Sequence, residues 1–258
     1  MSEISIDIEN VTVAYHGKVA LSNASLQLQS GTICGLVGMN GAGKSTLFKT
    51  IMGFIKPAHG RILINGLPIR QIQKQNIVAY VPQSEEVDWN FPVSVHDVVM
   101  MGRYGYMNLL RIPKSHDRNV VKESLERVEM WQMQNRQIGE LSGGQKKRTF
   151  FARALAQQST VLLLDEPFAG VDIKTEKMMI NLLMELRQKG YTILISTHDL
   201  ASIKTFCDRV VLINRTILAY GKTSEVFTEE NLSRTFGGSI GDLSLAKSLL
   251  SQEDRDVY

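Results

Sequence analysis

An α/β fold, with a parallel sheet and crossover helices, is predicted by three features of the 258-residue chain. The runs Ile33 to Val37, Val161 to Leu164, Thr192 to Ser196 and Val210 to Ile213 are continuously apolar and β-branched or leucine-rich, as strands buried on both faces are. Between two of them, Met178, Met179, Leu182, Leu183 and Leu186 are spaced to form one apolar stripe along a helix, and Gly190 follows as its C-cap. Buried strand, helix, buried strand is the pattern of a parallel sheet crossed by helices.

From the amino terminus, Ile4, Ile6 and Ile8, then Val11, Val13 and Tyr15, then Leu26 and Leu28 alternate with polar residues. That period of two predicts half-buried strands of an amino-terminal antiparallel β subdomain. Gly31, Pro57, Gly60 and Gly66 mark its turns. From about residue 84 to 158 helical periodicity takes over, as in Val120, Leu125 and Val128 on a charged background, which predicts a helical insertion. After Gly221 the chain is richer in Ser, Glu and Asp; Glu225 to Phe236 predicts a short helix, and residues 251–258 a frayed end.

Composition narrows the classes of function. A hydrophobic share of 43% against 21% charged residues supplies a core and excludes intrinsic disorder. Lys and Arg total 29 against 26 Asp and Glu, and a net charge of +3 argues against a strongly basic nucleic-acid binder. Cys34 and Cys207 lie far apart with no C-x-x-C spacing, so neither a disulfide framework nor a zinc site is indicated and a reducing compartment is expected. The acidic, alternating start Met1 to Asp7 predicts no secretory signal. No apolar run approaches the roughly 18 residues that span a bilayer.

Three motifs carry chemistry. Gly38-Met39-Asn40-Gly41-Ala42-Gly43-Lys44-Ser45-Thr46 matches G-x-x-x-x-G-K-[ST] after a strand and before an apolar helix from Thr46 to Met52. Its backbone N–H groups would cradle a phosphate chain at a helix amino terminus, Lys44 would reach the β and γ phosphates, and the Ser45 hydroxyl would hold Mg²⁺. Asp165 and Glu166 end the buried run from Val161, where α/β sheets place their ligands. Asp165 would support the metal and Glu166 would polarise an attacking water. Ser142, Gly143 and Gly144 precede a helix predicted from Lys146 to Gln157, a second anion-binding amino terminus.

Leu141-Ser142-Gly143-Gly144-Gln145, lying between the phosphate loop and Asp165-Glu166, resembles the signature of the ABC-type ATPases. The resemblance covers the chain from Ile4 to about Gly221. It implies a P-loop NTPase with a RecA-like parallel-sheet core, an amino-terminal antiparallel β subdomain and a helical insertion. The ATPase domain would span residues 1–236, followed by a partly disordered tail, 237–258. ATP would be bound by Gly38, Asn40, Gly41, Ala42, Gly43, Lys44, Ser45 and Thr46, and from a second subunit by Ser142, Gly143, Gly144 and Gln145. By the same resemblance Tyr15 matches the aromatic residue on which adenine stacks; a strand tyrosine on a wet face is the alternative. Gln83 matches the glutamine that senses Mg²⁺ and γ phosphate, which with Ser45 and Asp165 completes the magnesium set. Asp172 matches the aspartate at the dimer contact, although Phe168-Ala169-Gly170-Val171-Asp172 departs from the frequent Ser-Ala-Leu-Asp. Asp172 is also a plausible helix N-cap. His198 matches the switch histidine. Lys44, Gln83, Glu166 and His198 would thus be the catalytic group. Members of the family the chain resembles pair head to tail, which with one copy of each motif here implies a two-fold homodimer with two shared ATP sites.

Ribosome-associated relatives usually carry two ATPase units and chromosomal ones long coiled coils, so the resemblance favours transport over action on nucleic acid or ribosomes. The stretches Pro82 to Val95, Met101 to Gly105 and Glu166 to Asp172 resemble those of the bacterial importers of manganese, iron and zinc. They imply a separate integral-membrane permease, an extracytoplasmic metal-binding protein, no nucleic-acid partner, and a peripheral place on the cytoplasmic face of the inner membrane. Siderophore or vitamin B12 uptake stays open as cargo. Trp89, Phe91, Met100, Met101 and Tyr104 are read either as a permease contact or as the core of the insertion.

Overall fold

Alternating apolar residues build the first sheet. The computed structural model describes residues 3–83 and 92–237. Strands β1 (Ile4–Tyr15) and β2 (Lys18–Gln29) form a long antiparallel hairpin whose register shifts near Asn10, held at φ +48°. After β3 (Ile33–Val37) and helix α1 (Lys44–Ile51), strand β4 (His59–Ile64) returns to pair with β1, and the short β5 (Leu67–Pro68) completes the order β2-β1-β4-β5. Gly60 is not the expected turn. It sits inside β4 at φ +84°, where an added Cβ would lie 2.3 Å from the Glu9 carbonyl oxygen, so a close strand approach is what requires glycine.

The second sheet holds the predicted buried strands. Helix α2 (Ile69–Gln75) leads to β6 (Val78–Val81), and helices α3 (Val95–Met100), α4 (Ser115–Arg127) and α5 (Gly143–Ala156) form the insertion. Then come β7 (Val161–Asp165), α6 (Ile173–Gln188), β8 (Thr192–Ser196), α7 (Leu200–Phe206), β9 (Arg209–Ile213) and β10 (Ile217–Lys222). Their order is β10-β9-β3-β8-β7-β6, parallel except for β10. Helix α6 ends as its glycine predicts: Gly190 has φ +87°, and its N–H and that of Tyr191 reach the carbonyls of Arg187 and Leu186. The single helix expected over Glu225 to Phe236 is two, α8 (Thr223–Val226) and α9 (Glu229–Phe236), because the Thr228 hydroxyl caps the second at the Asn231 N–H.

Helix α1 is packed between the sheets, with Leu47, Phe48 and Ile51 buried against Ile6, Leu28 and Ile64 on one side and Leu36, Leu163 and Val211 on the other. The opposite face of the parallel sheet shares its core with the insertion, where Leu162, Leu164 and Ile195 cluster with Val99, Val121 and Phe151. Met100 belongs to this core, Tyr104 packs partly against it and Met101 is exposed; Trp89 and Phe91, like the tail after Gly237, lie outside the described residues. Among the described residues no helix is long and apolar enough to cross a membrane.

Arg103 ties the insertion together while almost wholly buried, at 2% exposure. Its Nε donates to Asp117 at 3.0 Å, and one terminal nitrogen donates to the Ala156 carbonyl at 3.0 Å and to Gln158 at 2.8 Å. Burial raises the Asp117 pKa, but the Lys114 amide and the Arg103 guanidinium outweigh it and hold the carboxyl below its usual value. Asp117→Ala leaves that guanidinium buried and unpaired, and is expected to cost about 3–5 kcal/mol in urea unfolding. Because the folded pKa is depressed, the wild-type advantage is present above about pH 4 and shrinks as pH falls further; a constant difference down to strong acid would contradict this ion-pair account.

Candidate active site

The glycines of the phosphate loop are placed by steric need. At Gly38 an added Cβ would lie 2.3 Å from the Ile213 carbonyl oxygen. Gly43 has φ +100°, and a Cβ there would press within 2.6 Å of the Leu21 side chain, so the loop rests on the first sheet. Helix α1 starts at Lys44, two residues earlier than expected, with Gly43 as N-cap, no side-chain cap and no acidic residue in its first turn. Uncapped N–H groups at a positive helix end suit an anion. Lys44 folds over the loop, its Nζ donating to the carbonyls of Gly38 (2.6 Å) and Met39 (3.1 Å). Burial pulls the Lys44 pKa down while Glu166 and Asp165 pull it back up. A cavity of about 460 Å³ opens between Gly38–Asn40 and Thr197–Asp199.

Asp165 is 2% exposed, and both its oxygens are bonded: Ser45 Oγ donates to one at 2.7 Å and Ser196 Oγ to the other at 2.5 Å. The pairing of β7 with β8 sets Asp165 opposite Ser196. Glu166, one residue beyond the strand, adopts a left-handed φ of +51°, a strained conformation for a non-glycine residue that costs about 1–3 kcal/mol. Its N–H meets the Ser196 carbonyl (3.1 Å) and hydroxyl (3.0 Å). Its carboxylate accepts from Gln83 Nε2 at 2.6 Å and lies against His198 Nε2.

The structure therefore brings Ser45, Gln83, Asp165, Glu166 and His198 into one hydrogen-bonded group. Ser142 is the N-cap of α5 in a capping box, accepting from the Gln145 N–H at 3.3 Å while its own N–H reaches Gln145 Oε1 at 3.0 Å. Asp172 caps α6 through the Thr175 N–H and hydroxyl, which hold its pKa below the usual carboxylate value. Tyr15 stands 42% exposed at the tip of the β1–β2 hairpin. Sequence reasoning missed Ser196 and Lys147, whose Nζ donates to the Glu166 carbonyl at 2.9 Å. The adjacency of β7 and β8 was the available signal for Ser196. For Mg²⁺ the donor set fits: a hydroxyl and a carboxylate already in contact, with an amide nearby, are the hard oxygen ligands that ion takes. Among the described residues no group of three or more His, Cys, Asp or Glu is arranged to hold a metal.

A parallel sheet carrying a phosphate loop, with two acidic residues at a neighbouring strand end, defines a nucleotide-hydrolysing protein. The family model for the ABC transporter matches residues 21–169, and the chain belongs to that family and is an ATP-binding ATP hydrolase. It is 65% identical over 239 residues, 92% of either chain, to the manganese transport system ATP-binding protein MntA of Synechocystis sp.. It is 57% identical over 248 residues to the chelated iron transport system membrane protein YfeB of Yersinia pestis, covering 96% of this chain and 84% of that one. The structure superposes on cbiO1 from Clostridium perfringens, part of the ABC transporter complex cbiONQ, with a TM-score of 0.74 and 31% identity, over 90% of this chain and 94% of the other.

Ser196 orients Asp165 and the Glu166 backbone at once, so Ser196→Ala is expected to lower ATP turnover about 10–100-fold, as loss of outer-shell support to a metal ligand does. Phosphate release measured on protein whose circular dichroism matches wild type checks this; unchanged turnover would remove Ser196 from the site.

Proposed function

We propose that this chain is the ATPase subunit of an importer of a transition metal, manganese or iron, in which two copies close around two ATP molecules and drive a separate permease. The observation that carries the ATPase mechanism is the Glu166 carboxylate, bonded by Gln83 and set against His198 one residue beyond Asp165, which Ser45 of the phosphate loop bonds. The cargo reading is supported by the manganese and chelated-iron roles of the two relatives, extended to this chain.

In this mechanism the N–H groups of the phosphate loop and Lys44 bind the triphosphate, and Tyr15 packs on the base. Mg²⁺, held by Ser45, Asp165 and Gln83, would offset the phosphate charge. Glu166 accepts the proton of the attacking water and His198 donates towards the γ phosphate. Ser142, Gly143, Gly144 and Gln145 of a second copy close the site, with Asp172 at the contact, in a two-fold dimer. The dimer works on the cytoplasmic face of a bacterial inner membrane, with an extracytoplasmic binding protein delivering the metal to the permease.

Glu166→Gln is expected to leave ATP affinity intact, to lower hydrolysis by about 10²–10⁴-fold, and to accumulate an ATP-bound dimer visible by size exclusion. Rapid turnover would take the role of base away from Glu166. For cargo, cells lacking the gene should lose uptake of radioactive manganese or iron, and wild-type protein should restore it. Undiminished uptake, with salt-sensitive binding of the purified protein to DNA or ribosomes, would reverse the assignment.

A further inference from the structure

Two peptide planes flank Glu166, and together they decide where its side chain points. The N–H belongs to the plane shared with Asp165 and is anchored on Ser196 of β8. The carbonyl belongs to the plane shared with Pro167, and it accepts from Lys147 Nζ at 2.9 Å and, at a longer 3.3 Å, from the Ala169 N–H. φ and ψ of Glu166 are the rotations between those planes, so clamping both fixes the direction of its Cα–Cβ bond. The clamp has strain to hold, since φ is +51° in a residue that precedes proline.

Lys147 reaches this carbonyl from the second turn of α5, the helix that Ser142 and Gln145 open. It is half-buried; burial lowers its pKa, and Glu166 and Asp165 act to raise it. The first turn of α5 also lies beside the turn after Glu166, since a Cβ on Gly144 would sit 3.9 Å from Val171 Cγ1.

We propose that Lys147 is a positioning residue for ATP hydrolysis, holding the Glu166 carbonyl so that the aim of the Glu166 carboxylate is set from the signature helix of the same subunit. This rests on Glu166 being the base, and the tests separate the two ideas. Lys147→Met is expected to lower kcat about 100-fold, the scale of an ångström misplacement at a reacting group, while the dissociation constant of a fluorescent ATP analogue stays within about twofold of wild type. Lys147→Arg, which keeps a charged donor, should recover most of kcat. In single-turnover assays, adding Lys147→Met to Glu166→Gln should cost little further.

Wild-type kcat in Lys147→Met, a parallel loss of ATP affinity, an equal loss in Lys147→Arg, or a full multiplicative loss in the double variant would each overturn the proposal. If near-ultraviolet circular dichroism shows Lys147→Met misfolded, Lys147→Leu, which also lacks a donor, decides, with the same kcat loss expected and wild-type kcat overturning the proposal. Rapid hydrolysis by Glu166→Gln would sink the base assignment, whereas an inactive Glu166→Gln beside a fully active Lys147→Met sinks Lys147 alone.

Discussion

A carboxylate withdrawn from water must be answered by donors on each oxygen, and Asp165 is answered by two hydroxyls. One comes from the first turn of α1, the other from the end of β8, so this one group pins the phosphate loop and two neighbouring strand ends in mutual register. The next residue depends on that anchor. Glu166 has to leave the sheet immediately, and its left-handed turn swings its carboxylate to where Gln83, from the end of β6, and His198, from the end of β8, can meet it. Remove the Asp165 anchor and the strand ends that present those partners are no longer held to a common level.

The same economy governs the loop. Gly38 and Gly43 are pressed against the Ile213 carbonyl and the Leu21 side chain, so the nucleotide segment is supported by both sheets. The amino-terminal hairpin is thus part of the floor of the site. Arg215 extends the support, donating to the Ala42 carbonyl while accepting from the Ser22 N–H. The phosphate loop is thus held by contacts from both sheets.

Much of this was legible in the residues. Runs such as Val161 to Leu164 carry their own burial signal, and a phosphate loop is a local motif whose geometry is contained in nine positions. The exceptions were long-range or short. The edge strand β6 has four residues, too few for a periodic signal, and is recruited by pairing with β7. Ser196 reads as one polar residue ending an apolar run, and joins the candidate site only because it stands opposite Asp165. Lys147 sits among three consecutive basic residues, and nothing local distinguishes the one that turns inward towards a carbonyl nineteen positions away. The break between α8 and α9 was hidden because Thr228 interrupts an acidic, helix-like composition with a cap whose effect is purely local. The left-handed turn at Glu166 was hidden too, since φ is set by its neighbours in space.

Arg103 has a consequence for anyone exchanging parts between relatives. The helical insertion runs from about residue 84 to 158, and Arg103 argues against placing the far seam of a graft any earlier, for instance before α5. The guanidinium of Arg103 crosses that seam to reach the Ala156 carbonyl and Gln158 at the far end of the helix. A transplanted lobe that stopped at residue 140 would arrive with its buried cation facing a foreign acceptor set. The transferable unit is the whole insertion, and it closes only after Gln158.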